Sequence, residues 1–265
     1  MPLLHLLLVA LIQGITEFLP ISSSGHLILL PRLTGIEDQG LAIDVAVHVG
    51  TLGAVILYFR QDVARTLRGI APALRGDLSN PDARLTLGLV LATIPVVIAG
   101  LLIKLSGADA ALRSVAVIGW TMLIFGLVLY WADRTGPETR EAKDWTLAHA
   151  FHMGLWQVLA LIPGTSRSGI TITAARFLGY ERHDAARLAM LMSIPTIIAS
   201  GVLLIPDIAG NAQVLADAAI AAVFAFVAAL AALALMMRFL NAVSFTPYVI
   251  YRVILGVILL WIAYA

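Results

Sequence analysis

Residues 13–26 read QGITEFLPISSSGH, and residues 157–170 read QVLALIPGTSRSGI. These two stretches, the first and the second cassette, align without a gap, and identical residues recur at one constant interval: Gln13 and Gln157, Ser22 and Ser166, Ser24 and Ser168, and Gly25 and Gly169. Both interrupt an otherwise apolar chain. Charged and polar groups are costly in hydrocarbon and usually mark a working site there, so the pair predicts an internal repeat that carries a functional centre.

The composition is typical of a polytopic membrane protein. Hydrophobic residues make up 60% of the 265 positions and charged residues 12%, so several apolar segments must face lipid rather than one soluble core. Cysteine is absent, which excludes disulfides, thiolate chemistry and a cysteine zinc site. The net charge of +1 is uninformative, and no nucleic-acid partner is expected. No Lys or Arg precedes the apolar run from Leu3 to Ile12, so a removable signal peptide is not expected.

Six apolar stretches have about the 20 residues that a helix needs to cross a bilayer. They cover residues 43–59, 85–104, 114–132, 186–205, 215–237 and 247–264. The cassette regions, about 3–30 and 148–178, contain Pro20 and Pro163 with Gly and Ser, which break a helix and predict re-entrant helical hairpins. Non-helical backbone at membrane depth must be covered by protein or water, so both breaks should line an internal polar site. The predicted fold is an all-α polytopic membrane protein with six transmembrane helices and two re-entrant hairpins.

The repeat predicts a single transmembrane domain, residues 1–265, built of two inverted halves. Each half, about 1–133 and 145–265, is expected to hold one hairpin followed by three spans. The segment GLVLYWAD at 126–133 resembles GVILLWIA at 256–263, which supports this division. An odd number of spans in the first half inverts the second, as in many transporters. The two hairpins should therefore enter from opposite faces and meet near the midplane.

The distribution of basic residues predicts the orientation. Five arginines lie in the 60–84 connection, whereas no Lys or Arg occurs between Arg187 and Arg238. The 60–84 connection is therefore expected in the cytoplasm and the 206–214 connection outside, with both chain termini outside. The first cassette would then enter from the outer face and the second from the inner face.

The cassettes carry groups that suit phosphoryl chemistry. Gln13 and Glu17 are four residues apart and share one helix face, while the serines of the first cassette begin a second helix whose free N–H groups can bind an anion. The second cassette adds Arg167, whose planar guanidinium grips phosphate oxygens in pairs. Glu17 would bind a divalent cation or act as a base, and Ser23 or His26 would attack or transfer a proton.

Simpler interpretations stay open for several of these residues. Ser and Gly runs also serve close helix packing in membranes, His26 can be a structural residue, and Arg167 can extend to an interface. Asp44 and His48, four residues apart in the first span, favour a helix-packing pair over a supporting role behind the site. The main alternative function is a transporter or flippase of a polyprenyl phosphate lipid, because broken helices in inverted repeats also serve transport.

With these residues identified, the chain resembles the undecaprenyl-diphosphate phosphatase family, the bacitracin-resistance type of integral membrane phosphatase. The resemblance covers nearly the whole chain and depends on two signatures. The first, an (E/Q)xxxE segment followed by PxSSxGH, is present as Gln13, Glu17, Pro20, Ser22, Ser23, Gly25 and His26. The second, PGxSRSGxT, is present as Pro163, Gly164, Ser166, Arg167, Ser168, Gly169 and Thr171.

The resemblance implies hydrolysis of undecaprenyl diphosphate to undecaprenyl phosphate and inorganic phosphate, which recycles the cell-wall lipid carrier, with Mg²⁺ or Ca²⁺ as cofactor. It also implies a multi-pass protein of the bacterial inner membrane whose site faces the periplasm, and it leaves the oligomeric state open. By similarity the catalytic residues are Glu17, Ser23, His26 and Arg167, with Glu17 also the metal ligand. The expected substrate-binding residues are Gln13, Ser22, Ser24, Gly25, Gly164, Ser166, Ser168, Gly169 and Thr171.

One position departs from some members of that family. Where these have a first glutamate, this chain has Gln13, which carries no charge and cannot act as a base. Glu17 alone must then supply the negative charge of the site. We therefore expect Glu17→Gln to be far more damaging than Gln13→Ala.

Overall fold

The computed structural model describes residues 2–35, 39–107, 112–204, 212–240 and 242–265. Within these ranges the chain forms eleven α-helices and two short 3₁₀ helices, at Ala142–Asp144 and Leu159–Leu161. No β-strand occurs in the described ranges, where the one ladder contact is an isolated bridge between Arg140 and Tyr180. The all-α prediction is confirmed.

Six of the described helices are long and apolar enough to cross a membrane. They are α3 (Leu41–Tyr58), α5 (Pro81–Ser106), α6 (Val115–Thr135), α9 (Arg182–Leu204), α10 (Ala212–Phe239) and α11 (Thr246–Tyr264). Each coincides with one predicted span. The helix α5 begins earlier than its apolar stretch because the Asn80 side chain accepts the amide N–H groups of Asp82 and Ala83, and Pro81 fits the first helical position.

Four further helices are too short to cross a bilayer, and they flank the cassettes. The first cassette covers the end of α1 (Leu3–Thr16) and the start of α2 (Ser23–Thr34), and the second covers the end of α7 (Leu147–Val158) and the start of α8 (Arg167–Phe177). The longest of these, α1, has 14 residues, which at about 1.5 Å per residue covers roughly two thirds of the hydrocarbon thickness. We call the non-helical segments between them, residues 17–22 and 162–166, the first and second break.

The 60–84 connection contains a helix that the sequence analysis did not predict, α4 (Arg60–Leu74). It lies against the start of α5, where a Cβ added to Gly69 would come within 2.1 Å of the Asp82 carbonyl oxygen. Arg65 donates to the Asp82 carboxylate at 2.9 Å, and Arg187 of α9 pairs with Asp62 at 2.5 Å. The five arginines of this segment therefore belong partly to a packed helix rather than to a simple loop.

The two halves of the chain interlock. In the first half α1 packs against α10, and in the second half α7 packs against α5, while α6 packs against α11. Small residues allow these close approaches: a Cβ on Gly14 would meet Ala225 and Ala228 of α10, and a Cβ on Gly154 would meet the Ala92 backbone of α5. Each helix that leads into a cassette is thus anchored on a span from the other half.

Candidate functional site

The two breaks end in the same unusual backbone conformation. Ser22 has φ 75° and ψ 95°, and Ser166 has φ 71° and ψ 116°. Among the described residues these are the two non-glycine positions with positive φ. Such a conformation costs about 1–3 kcal/mol at a non-glycine residue and persists where the surroundings enforce it, typically at functional sites.

Each of these serines caps the helix that follows it. The Ser22 hydroxyl accepts the Gly25 amide at 3.3 Å, and the Ser166 hydroxyl accepts the Gly169 amide at 3.1 Å. Each also lies next to the serine two positions later, with 3.3 Å between the Ser22 and Ser24 hydroxyls and 3.1 Å between those of Ser166 and Ser168. The repeat in the sequence is therefore matched by a repeat in backbone geometry and hydrogen bonding.

The cassettes contact each other directly. The guanidinium Nη2 of Arg167, at the start of α8, donates to Oε1 of Glu17 in the first break. The Ser168 hydroxyl donates to the Leu19 carbonyl at 2.9 Å. A carboxylate from one cassette and a guanidinium from the other thus form one polar centre.

Glu17 is the residue that the other groups of this centre contact, and its exposed fraction is 8%. Its Oε2 accepts hydrogen bonds from the Ser23 hydroxyl at 2.7 Å and from Gln13 Nε2 at 2.8 Å. The Nε2 atom of His48, on α3, lies 3.9 Å from the same oxygen. A hydroxyl that donates to a buried carboxylate is the arrangement that activates a nucleophile.

A cavity of about 580 Å³ opens beside Glu17. Its polar end is lined by Glu17, Ser22, Ser23, Ser166 and Arg167, together with Asp44 and His48 of α3. Apart from Arg113, Thr196 and Ser200, the rest is apolar and lies mainly between α3, α5 and α9, with lining residues that include Val49, Leu52, Val96, Val97, Ile197, Ile198 and Val202. The cavity can therefore hold a charged group at one end and a hydrocarbon chain at the other.

Several of the predicted substrate-binding residues build the breaks instead of lining the cavity. Thr171 is fully buried and donates to the Arg167 carbonyl at 2.8 Å, which fixes the first turn of α8. The lining of the cavity does not include Gln13, Ser24, Gly25, Gly164, Ser168, Gly169 or Thr171. Gln13 acts through Glu17, and the small residues let the two breaks approach each other. The substrate roles of these residues stay predictions.

His26 is not brought into the cavity with Glu17 and Arg167. One of its ring nitrogens, Nδ1, is 2.6 Å from the Ser22 carbonyl oxygen, and the other, Nε2, is 2.5 Å from the Tyr251 hydroxyl of α11. The two rings stack with centroids 5.6 Å apart. The side chain therefore folds back over the start of α2, and the imidazole that lies beside Glu17 belongs to His48 rather than to His26.

Sequence reasoning underrated His48 and missed Arg252. The spacing of Asp44 and His48 favoured a packing pair, yet both line the cavity, and the His48 Nδ1 lies 2.7 Å from the Asp44 carbonyl, which leaves Nε2 toward Glu17. Arg252 lies in the middle of the apolar span α11 and is fully buried between the breaks. A lone arginine inside a predicted apolar span is the signal that could have identified it.

The groups around Glu17 offer few oxygen ligands for a divalent cation. The described residues contain no group of three or more His, Cys, Asp or Glu side chains arranged to hold a metal. Both Glu17 oxygens accept hydrogen bonds, whereas the buried Gln13 Oε1 has no partner. Mg²⁺ is commonly held by one or two carboxylates together with substrate phosphates. The residues therefore fit a cation that arrives with a diphosphate, and not a preformed protein site.

Gly164 is required by the geometry of the second break. It has φ +89°, and an added Cβ would lie 2.2 Å from the Thr121 hydroxyl and 2.7 Å from the Ile118 carbonyl. We expect Gly164→Ala to destabilise the protein by about 1–3 kcal/mol, the usual cost of overpacking. Thermal unfolding in detergent measures this. Gly201→Ala is the matched control, because a Cβ at that position meets nothing within 4 Å. An equal fall in melting temperature for both variants would contradict the claim that the second break requires a glycine at position 164.

Residues 6–258 match the family model described as bacitracin resistance protein BacA. The chain belongs to this family. Similar relatives are the proteins named undecaprenyl-diphosphatase from Ruegeria pomeroyi, 67% identical over the whole of both chains, and from Dinoroseobacter shibae, 68% identical over the same extent. A protein of that name from Chromohalobacter salexigens is 46% identical, covering 98% of this chain and 99% of its own. The resemblance inferred from the two signatures is confirmed.

Proposed function

We propose that this membrane protein is an undecaprenyl-diphosphatase, which hydrolyses undecaprenyl diphosphate to undecaprenyl phosphate and inorganic phosphate and so recycles the cell-wall lipid carrier. The observation that carries the proposal is the contact of Glu17 with Ser23 and Arg167 at the polar end of a cavity whose remaining lining is mostly apolar. The name and full-length similarity of the relatives support the same activity.

Ser23 is the proposed nucleophile and Glu17 its base. Their hydrogen bond of 2.7 Å lets Glu17 take the hydroxyl proton while the Ser23 oxygen bonds to the terminal phosphorus. The bond from that phosphorus to the bridging oxygen breaks, and undecaprenyl phosphate leaves. Water then attacks the phosphoserine; its oxygen stays on the released inorganic phosphate, the Ser23 oxygen leaves and is protonated again, and Glu17 gives up its proton to solvent.

Arg167 is proposed to hold the phosphoryl group during transfer. Its Nη1 donates to the Ser193 carbonyl at 3.0 Å, and its Nη2 contacts Glu17, so the planar fork is fixed next to the nucleophile. Charge on the phosphoryl oxygens is then stabilised by a group that needs no reorganisation. His26 stays a proposed catalytic residue by family resemblance, and here its ring holds the Ser22 carbonyl.

Glu17 is the residue proposed to hold Mg²⁺ or Ca²⁺ when it enters bound to the diphosphate. The cation would supply charge neutralisation on the phosphate oxygens.

The membrane placement is part of the proposal. The protein would lie in the bacterial inner membrane as one domain of two inverted halves, with the α1–α2 and α7–α8 pairs as re-entrant hairpins and the site toward the periplasm. The length of these helices and the exchange of packing partners between the halves support this arrangement. The apolar part of the cavity would take the first isoprene units while the rest of the tail stays in lipid.

The transport alternative is less favoured, because pure transport needs binding groups but no hydroxyl held by a carboxylate beside a phosphate-binding arginine. The decisive experiment is inorganic phosphate release from undecaprenyl diphosphate by the protein purified in detergent, with and without a chelator. We expect steady release that falls at least about 10-fold with chelator and returns with added Mg²⁺. No release from the wild-type protein would overturn the proposal in favour of transport.

A further inference from the structure

Arg252 connects the two breaks through a set of hydrogen bonds to backbone oxygens. Its Nη1 donates to the Pro20 carbonyl at 3.3 Å, in the first break. Its Nη2 donates to the carbonyls of Gly164 at 3.1 Å and Thr165 at 2.8 Å, in the second break. The same guanidinium reaches α6, with Nε on the Met122 carbonyl at 3.2 Å and Nη2 on the Thr121 carbonyl at 3.3 Å.

The position of these bonds is specific. Thr165 directly precedes Ser166, and Pro20 lies two residues before Ser22. In each break the hydrogen bonds from Arg252 therefore hold the backbone just before a serine with positive φ. The guanidinium also packs against the start of α8, since a Cβ on Gly169 would come within 2.8 Å of Nη1. One side chain therefore fixes the distance between the segments that present Glu17 and Arg167.

The surroundings of Arg252 differ from those of a structural buried arginine in the same protein. Arg252 is 0% exposed, and its described hydrogen bonds all end on backbone carbonyls. Arg176 is 1% exposed and also binds carbonyls, but it pairs with the carboxylates of Asp133 at 3.4 Å and Glu138 at 3.2 Å, away from the breaks. A buried cation is costly, and retaining one on carbonyl dipoles alone points to a role that an apolar residue cannot fill.

We propose that Arg252 is a positioning residue for phosphate transfer. It holds the two breaks together, so that Ser23, Glu17 and Arg167 keep their positions relative to one another. Only a planar fork with donors on several nitrogens reaches both breaks and α6 at once. A lysine keeps the charge but presents it as a single point, so it cannot bridge the two breaks.

The test compares Arg252→Lys with Arg176→Lys, the same change at the other buried arginine. The first measurement is hydrogen–deuterium exchange of the backbone amides in residues 18–26 and 162–170. We expect faster exchange in both segments of the Arg252→Lys protein and in neither segment of the Arg176→Lys protein. The second measurement is phosphate release, where we expect kcat to fall about 100-fold with KM changed less than about 3-fold, as for a misplaced catalytic geometry.

Only the kinetic part of this inference rests on the proposed function. The exchange measurement is independent of it, so failure of one can be told from failure of the other. If the wild-type protein releases no phosphate, the proposed function fails, while exchange still decides whether Arg252 clamps the breaks. Unchanged exchange, loosening of one segment alone, or a kcat no lower than that of Arg176→Lys would overturn the inference. Arg252→Gln is the second variant, and failure of both Arg252 variants to fold would also overturn it, because Arg252 would then support the whole bundle.

Discussion

The Glu17→Gln protein should release phosphate about 1,000-fold more slowly than wild type, within the range found for loss of an acid–base group. The substitution keeps the size of the side chain and its capacity to hydrogen bond. It removes the charge that pairs with Arg167 and the oxygen that accepts the Ser23 proton. Steady-state phosphate release from undecaprenyl diphosphate in detergent measures the loss, and we expect it in kcat.

The matched control for this variant is Gln13→Ala, one helical turn before Glu17 on the same helix face. Gln13 donates one hydrogen bond to the Glu17 carboxylate and carries no charge, so we expect its loss to lower activity less than about 10-fold. Equal losses in the two variants would contradict the assignment of Glu17 as the base.

Arg167→Ala is the second large effect, and we expect it to lower phosphate release about 1,000-fold, as for arginines that stabilise phosphoryl transfer. The guanidinium joins Glu17 to the Ser193 carbonyl and faces the cavity, so its removal takes away both the phosphate clamp and the partner of the carboxylate. Arg167→Lys should recover only part of the activity, because a point charge cannot hold these groups and a phosphate in one plane.

Arg113→Ala is the control for charge alone. Arg113 is an exposed residue that lines the same cavity, so its loss removes a positive charge near the substrate without touching the Glu17 centre. We expect a change in KM of less than about 5-fold and little change in kcat, since exposed charges act weakly. If Arg113→Ala lowered kcat as much as Arg167→Ala, general electrostatic attraction would explain the result better than a clamp.

The spans were predictable because each is a long apolar segment, a property that local composition reports. The helix α4 was missed because its arginines were interpreted as a connection between spans; in the structure Gly69 packs against α5 and Arg187 pairs with Asp62. The equivalence of the cassettes was visible in the sequence. In the structure it appears as a positive φ at both Ser22 and Ser166.

The contents of the site were only partly predictable. Glu17, Ser23 and Arg167 lie together as expected, because their cassettes carry them at the breaks. Whether an imidazole faces the cavity depends on the direction of its side chain. The His26 ring contacts the Tyr251 hydroxyl, which belongs to a helix far away in the sequence, and so it points away from the cavity. The contribution of Arg252 depends on contacts between segments far apart in sequence, which no local pattern encodes.

The central claim is that the two cassettes form one phosphatase site, and a double-mutant cycle of Glu17→Gln and Arg167→Ala tests it most directly. Groups that act as a unit are strongly non-additive. We predict that the double variant releases phosphate within about 3-fold of the slower single variant. A double variant whose loss equals the product of the two single losses would show that the cassettes act independently, and would contradict the account.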